Sequence, residues 1–245
     1  MESVRSRIKR HLLFRTHGRS AAGIALPPVR LRKGGELFDT DSKFIDGGRR
    51  DVRVLIDQAG LTTSSSVVEL GCGPGRLPIG IIDELGGVRR YVGVDVQKEA
   101  IAWCRRHVKK PSFQFVHINA GNERYNPTGT DDHRLPISGP FDIAYAYSVF
   151  SHMRTDDVRA YLGEFSRLLS PSGVAFVTAF VEPDVPDEVV NPEGYLTLRW
   201  VGPLHCVRFS QSHFEGLVAG AGLAIRDTSH RTERDGLSPF LLGRT

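Results

Sequence analysis

Residues 67–80, "VVELGCGPGRLPIG", run from an apolar segment straight into Gly71, Gly73 and Gly75. The run "SVVEL" (66–70) reads as a buried strand and "RLPIGIIDEL" (76–85) as a helix. A strand that ends in glycines and opens a helix is the layout of a nucleotide-type site. Glycine takes positive φ and lets a ligand approach the main chain, while the helix N-terminus adds free N–H groups and partial positive charge. The spacing is GxGxG: Arg76 stands where a dinucleotide site has its third glycine, and no GK[ST] follows, so this is not a P-loop. Asp95 ends the next apolar run, "YVGVDV" (91–96), where an acid accepts both ribose hydroxyl hydrogens. Hydroxyl recognition alone leaves an unusual NAD site open.

Outward from this turn the chain alternates. A helix is expected from about Arg49 to Ala59, closed by Gly60, and another over 98–108. Strands follow at 113–118 and 141–149. Next come a helix at 155–169 with Thr155 as N-cap and a strand at 173–180. Strands that are apolar nearly throughout, alternating with helices, imply a mostly parallel sheet covered on both faces. Residues 182–207, with four prolines, break the rhythm and read as a lid-like insertion rather than a further βα unit. A helix over 210–223 and strands at 224–230 and 238–244 complete the chain. The turn at Asp235-Gly236 makes the last two strands an antiparallel edge pair. One domain over 46–245 is expected, preceded by an arm and connector at 1–45 that is a candidate substrate cap.

Nothing among the 245 residues approaches the ~18–20 apolar residues of a membrane span. No apolar signal segment follows the start, so secretion is not indicated. Cys72, Cys104 and Cys206 lack CxxC spacing, which argues against a disulfide framework and a structural zinc site. A cytoplasmic location follows. Charge is uneven: residues 1–33 carry nine basic residues (Arg5, Arg7, Lys9, Arg10, Arg15, Arg19, Arg30, Arg32, Lys33) against Glu2, leaving the body acidic. Such an arm is either solvated chain or a grip on an anionic partner. An Arg/Ser-rich start also resembles a transit peptide, though glycine and proline follow early.

Taken in order, "VVELGCGPG", "GVDV", "HINAGNERYNPTG", "FDIAYAYSVFSHM" and "LLSPSGVAFVT" resemble the successive motifs of S-adenosylmethionine-dependent methyltransferases of the Rossmann-like, seven-stranded kind. The resemblance runs from about residue 46 to the end. It implies a doubly wound α/β fold, S-adenosylmethionine as cofactor, and roles for individual residues. Glu69 with the Gly71-Cys72-Gly73 turn and Gly75 corresponds to the motif that holds the methionine part. Asp95 matches the ribose acid, and Val96 lies against adenine. Asn119 and Ala120 fall where the family has an acid and a small residue for the adenine amino group. Asn departs from that acid but keeps an oxygen that accepts. Tyr147 and Ser148 end the fourth strand beside the transferring methyl.

Methyl transfer from a sulfonium needs alignment of the nucleophile and exclusion of water, and a hydroxyl acceptor gains from a general base. His152 in "SVFSHM" is the candidate base. His205 is a second, flanked by Arg199 and Arg208, which are candidates for holding an anionic substrate group. No [ND]PP[YFW] follows the fourth strand and no Cys follows a Pro, which excludes the amino-methylating and cytosine-C5 DNA types. Asp156 and Asp157 read as first-turn helix acids, so no metal is assigned. The expected function is methylation of a small-molecule acceptor, on oxygen of a sugar, lipid or secondary metabolite. Two alternatives stay open: an RNA or protein methyltransferase gripping its substrate with the basic arm, and a non-catalytic cofactor-binding regulatory domain.

Overall fold

In the computed structural model, which describes residues 18–197, 199–233 and 235–245, the described residues cluster into two compact units. One comprises the residues up to Ser64 together with Cys72–His117; the other comprises Ser65–Gly71 and Ile118–Thr245.

The first unit opens with a connector that is built into the fold rather than solvated. Ser20 Oγ and Ala22 N both donate to Asp83 Oδ1, at 2.7 and 2.8 Å, and Leu26 and Leu31 are buried. The Arg32 side chain is 1% exposed: it ion-pairs with Asp41 and donates from Nε to Pro27 O at 2.9 Å. Arg19 donates to Gly23 O at 2.6 Å and Arg30 lies 3.5 Å from Glu99. The solvated-arm reading therefore fails at Arg32, because a buried guanidinium needs an acid beside it. Arg5, Arg7, Lys9, Arg10 and Arg15 lie outside the described residues.

Helix α1 spans Asp41–Ala59, eight residues earlier than the sequence suggests. Thr40 caps it by accepting from Lys43 N at 3.2 Å, and Gly60 ends it at φ 66°. Gly47 and Gly48, outside the helix expected from Arg49, sit inside it. The reason is a close helix crossing with α2, Arg76–Leu85. A Cβ on Gly48 would lie 2.7 Å from Arg76 O, and one on Gly80 would lie 2.5 Å from Gly48 O. Arg76 pins the crossing: it is 2.9 Å from Asp51 and stacks over Phe38 at 4.5 Å. Strands β2 (Arg90–Asp95) and β3 (Phe113–His117) pair in parallel, with Asp95 opposite His117, and α3 (Lys98–His107) connects them.

In the second unit β1 (Ser66–Leu70), β4 (Phe141–Ala146) and β5 (Leu169–Glu182) run parallel, with Glu69 opposite Tyr145 and Tyr145 opposite Phe176. Strand β4 stops three residues short of the expected end. Helix α4 is Thr155–Leu168; its N-cap is Arg154, not Thr155, and Asp157 Oδ2 accepts from Arg154 N at 3.1 Å. The 182–207 segment is less irregular than its prolines suggest. Strand β6 (Glu188–Val190) pairs antiparallel with β7 (Val207–Ser210), and β7 runs parallel to the last residues of β5. Ser210 caps α5 (Gln211–Gly220) by accepting from His213 N at 3.2 Å. Strand β9 (Ser238–Arg244) pairs antiparallel with both β5 and β8 (Leu223–Thr228). The result is the expected α/β fold, mostly parallel with antiparallel C-terminal strands. Among the described residues no helix is long and apolar enough to cross a membrane.

Candidate functional site

In the first unit the glycine turn and Asp95 are one construction. Asp95 is 5% exposed; its Oδ2 accepts from Gly73 N and its Oδ1 from Gln97 N, each at 2.7 Å. Burial pushes its carboxyl above the usual range, against the pull of these two bonds and of the nearby His117 and Lys33 charges. Each oxygen spends one acceptor position on the backbone and keeps another. Gly73 stands at φ 50° with nothing within 4 Å of where a Cβ would be. Cys72 and Cys104 direct their Sγ atoms to Gly73 O, at 3.7 and 3.5 Å, and are buried, so they brace the turn rather than line it. Val96 is half-buried, and its carbonyl accepts from His117 Nε2 at 3.2 Å. A sugar-bearing ligand fits this half: a buried carboxylate with acceptor capacity to spare stands beside an open, side-chain-free turn.

The second unit holds the remaining predicted residues. Glu69, 5% exposed, nearly ends β1. A side chain on Gly71 (φ 74°) would strike Val149, 2.6 Å away. Asn119 is exposed, and its Oδ1 already accepts from Asn126 Nδ2 at 3.2 Å, while buried Ala120 bridges to Thr130. Tyr147 and Ser148 follow β4 rather than end it. Tyr147 donates its hydroxyl proton to Glu233 at 2.7 Å. Ser148 adopts φ 54°, a left-handed conformation that costs about 1–2 kcal/mol outside glycine. Its N–H donates to Thr178 Oγ1 at 2.7 Å, which holds it there.

His152 closes a 3₁₀ turn, Phe150–His152. Its Nδ1 lies 2.9 Å from Leu204 O, so the neutral ring carries its proton on Nδ1 and its lone pair on Nε2. Burial, with the Arg124 and His205 charges adding, lowers its pKa to about 4. His205 has the opposite tautomer, because its Nδ1 accepts from Val201 N at 2.8 Å. Burial and Arg124 lower its pKa as well.

Sequence reasoning missed the residues that hold this arrangement. Asn122 Nδ2 donates to His152 O at 2.8 Å, and its Oδ1 accepts from Arg124 N and Tyr125 N. Arg124 Nη1 donates to Val201 O and Pro203 O, at 3.2 and 3.3 Å. The Asn-x-x-Tyr run in "GNERYNP" carries the turn signal for Asn122. Nothing local marks Thr178 or Glu233. Asp156 pairs with Arg159 and Asp157 with His133 at 2.8 Å. Arg199 is exposed and Arg208 half-buried.

Residues 67–173 match the family model described as "Methyltransferase domain". A 37.1 kDa uncharacterized protein of transposon TN4556 from Streptomyces fradiae is 28% identical over 129 residues, 52% of this chain and 34% of that protein. The matched stretch spans less than half the length of the curated relatives. Among solved structures, the glycopeptide N-methyltransferase MtfA superposes with a TM-score of 0.58 at 15% identity, covering 81% of this chain and 90% of that one. The mitomycin 7-O-methyltransferase MmcR does so at 0.55 and 16%, covering 86% and 60%.

Proposed function

We propose that this chain, whose residues 67–173 form a methyltransferase domain in the Rossmann-like fold of S-adenosylmethionine-dependent enzymes, methylates an oxygen of a small-molecule acceptor. The observation that carries the reading is His152, neutral, half-buried and oriented by Leu204 O so that Nε2 bears the lone pair. A glycopeptide N-methyltransferase and a mitomycin 7-O-methyltransferase among the structural relatives support a secondary metabolite as acceptor.

When bound, the cofactor supplies a methyl already activated on a sulfonium sulfur. In the first unit, Asp95 takes the ribose hydroxyls and the Gly73–Gly75 turn leaves room for the ligand's main-chain approach, with Val96 against adenine. In the second, Glu69 offers a carboxylate to the methionine ammonium. Asn119 offers its second lone pair to the adenine amino group beside Ala120, and Tyr147 and Ser148 stand on the loop after β4. His152 Nε2 accepts the acceptor's hydroxyl proton. With its pKa lowered to about 4 by burial it is a weak base, neutral at pH 7, whose Nε2 takes the proton that the acceptor oxygen gives up on methylation. Arg124 fastens the loop at 201–203 through the carbonyls of Val201 and Pro203.

The test uses cofactor with a labelled methyl, the purified protein and an extract of the source cells, fractionated afterwards. Label is expected in small molecules or lipids, falling by about 10²–10⁴-fold in His152→Ala with cofactor affinity intact. Label in RNA or protein overturns the small-molecule reading, and full transfer by the variant overturns the base.

A further inference from the structure

A row of rings runs through the second unit from His152. Its neighbours are Tyr125 at 5.5 Å and His205 at 6.5 Å. His205 meets Trp200 at 5.5 Å, and Trp200 meets Tyr195 at 6.3 Å and Phe180 at 5.7 Å. At the far end the Arg208 guanidinium lies over the Tyr195 ring, 5.0 Å from its centre. Its cross-strand partners are Phe180 on β5 and Val189 on β6, both apolar.

This guanidinium is unmatched. Its Nε is buried with no hydrogen-bond partner, and among the described residues it has no ion pair. The carboxylate that meets the same Tyr195, Glu182, is already taken: it accepts from Tyr195 Oη at 2.6 Å, Arg231 Nε at 2.6 Å and His230 Nε2 at 2.9 Å. The histidines of the row carry no negative charge in either protonation state, and Arg124 adds a second cation. A half-buried cation on an aromatic face without an acid loses hydration and recovers little of it from the protein. An anionic ligand recovers it, because planar carboxylates match the guanidinium fork.

We infer that Arg208 on Tyr195 is a recognition point for the carboxylate of a planar aromatic acceptor, whose ring lies along Trp200 and His205 and whose hydroxyl faces His152. The inference rests on the methyltransferase reading and names its acceptor class, a carboxylated phenol.

The probe pair is 4-hydroxybenzoate and its neutral methyl ester, titrated against the full chain saturated with S-adenosylhomocysteine. The readout is tryptophan emission: of the two tryptophans Trp103 is fully buried, so quenching reports Trp200. The acid is expected to bind about 10- to 100-fold more tightly than the ester. Arg208→Gln abolishes that preference, and Arg208→Lys keeps part of it, because a point charge remains without the fork. Equal binding of acid and ester by the wild type, no binding of the acid, or a preference that survives Arg208→Gln overturns the inference. The wild-type comparison stands even where a variant fails to fold. Calorimetry with sinefungin separates the two readings: a wild type that does not bind it refutes the methyltransferase reading, whereas binding without acid preference refutes only the role of Arg208.

Discussion

Replacing Asp95 with Asn separates folding from cofactor binding. Each Asp95 oxygen accepts one backbone N–H, from Gly73 and Gln97, both at 2.7 Å. Asn keeps one acceptor and turns an NH₂ against the other N–H, so one charge-assisted bond is lost and one becomes neutral. That costs about 1.5–3 kcal/mol. Against it, the variant no longer buries an ionised carboxylate at 5% exposure. Burial is the largest influence on this group and raises its pKa. The native state therefore holds the proton more tightly than the unfolded chain, and stability from this group is full below 3.8 and is lost as pH rises through the folded value. The two effects oppose, so Asp95→Asn shifts cofactor-free stability by no more than about 1–2 kcal/mol, roughly 2–4 °C in Tm per kcal/mol, and flattens its acid pH dependence. Binding has no such compensation. A ribose hydroxyl loses its charged acceptor, and Kd for sinefungin rises by about 10- to 150-fold. Calorimetry reads Kd and a thermal melt reads stability. Affinity within about threefold of wild type refutes the ribose assignment, and a collapse of Tm with affinity unchanged makes Asp95 purely structural.

Gly80→Ala drives a methyl into Gly48 O, 2.5 Å away, and costs about 1–3 kcal/mol, read as a lowered melting temperature. His152→Gln removes a group whose pKa burial lowers from 6.5 to about 4. The wild type loses stability as pH falls through that window, because the unfolded ring takes the proton first; the variant melts with a flatter profile there. Glu182→Gln leaves Arg231 and His230 facing a neutral amide and costs about 1–3 kcal/mol at neutral pH. Attraction to Arg231, with the Tyr195 and His230 bonds, lowers the Glu182 pKa against burial, so the wild-type advantage fades as pH drops below 4.5 and the two melting curves converge in acid.

The alternation of strands and helices, the glycine turn at 71–75 and Asp95 were legible because each is a local pattern. Buried strands are apolar at consecutive positions, a turn that needs φ above zero selects glycine, and an acid at a strand end is conspicuous. Where contacts are distant in sequence, the pattern misled. The helix expected from Arg49 left Gly48 outside, yet Gly48 lies within it and is small because α2 crosses it. Arg32 looked solvated, yet Asp41 and Pro27 O bury it. The prolines of 182–207 hid β6 and β7, whose partners lie on each other and on β5. The tautomer of His152 depends on Leu204, and the left-handed Ser148 depends on Thr178. In sequence Arg208 is no more than one of two arginines flanking His205; Tyr195 beneath it and Glu182 already paired are seen only in the fold. Local sequence determines backbone preference and which residue types are present. The charge state, tautomer and unmet hydrogen bonds of a side chain depend on what the fold packs against it from far along the chain, and only the tertiary structure decides that.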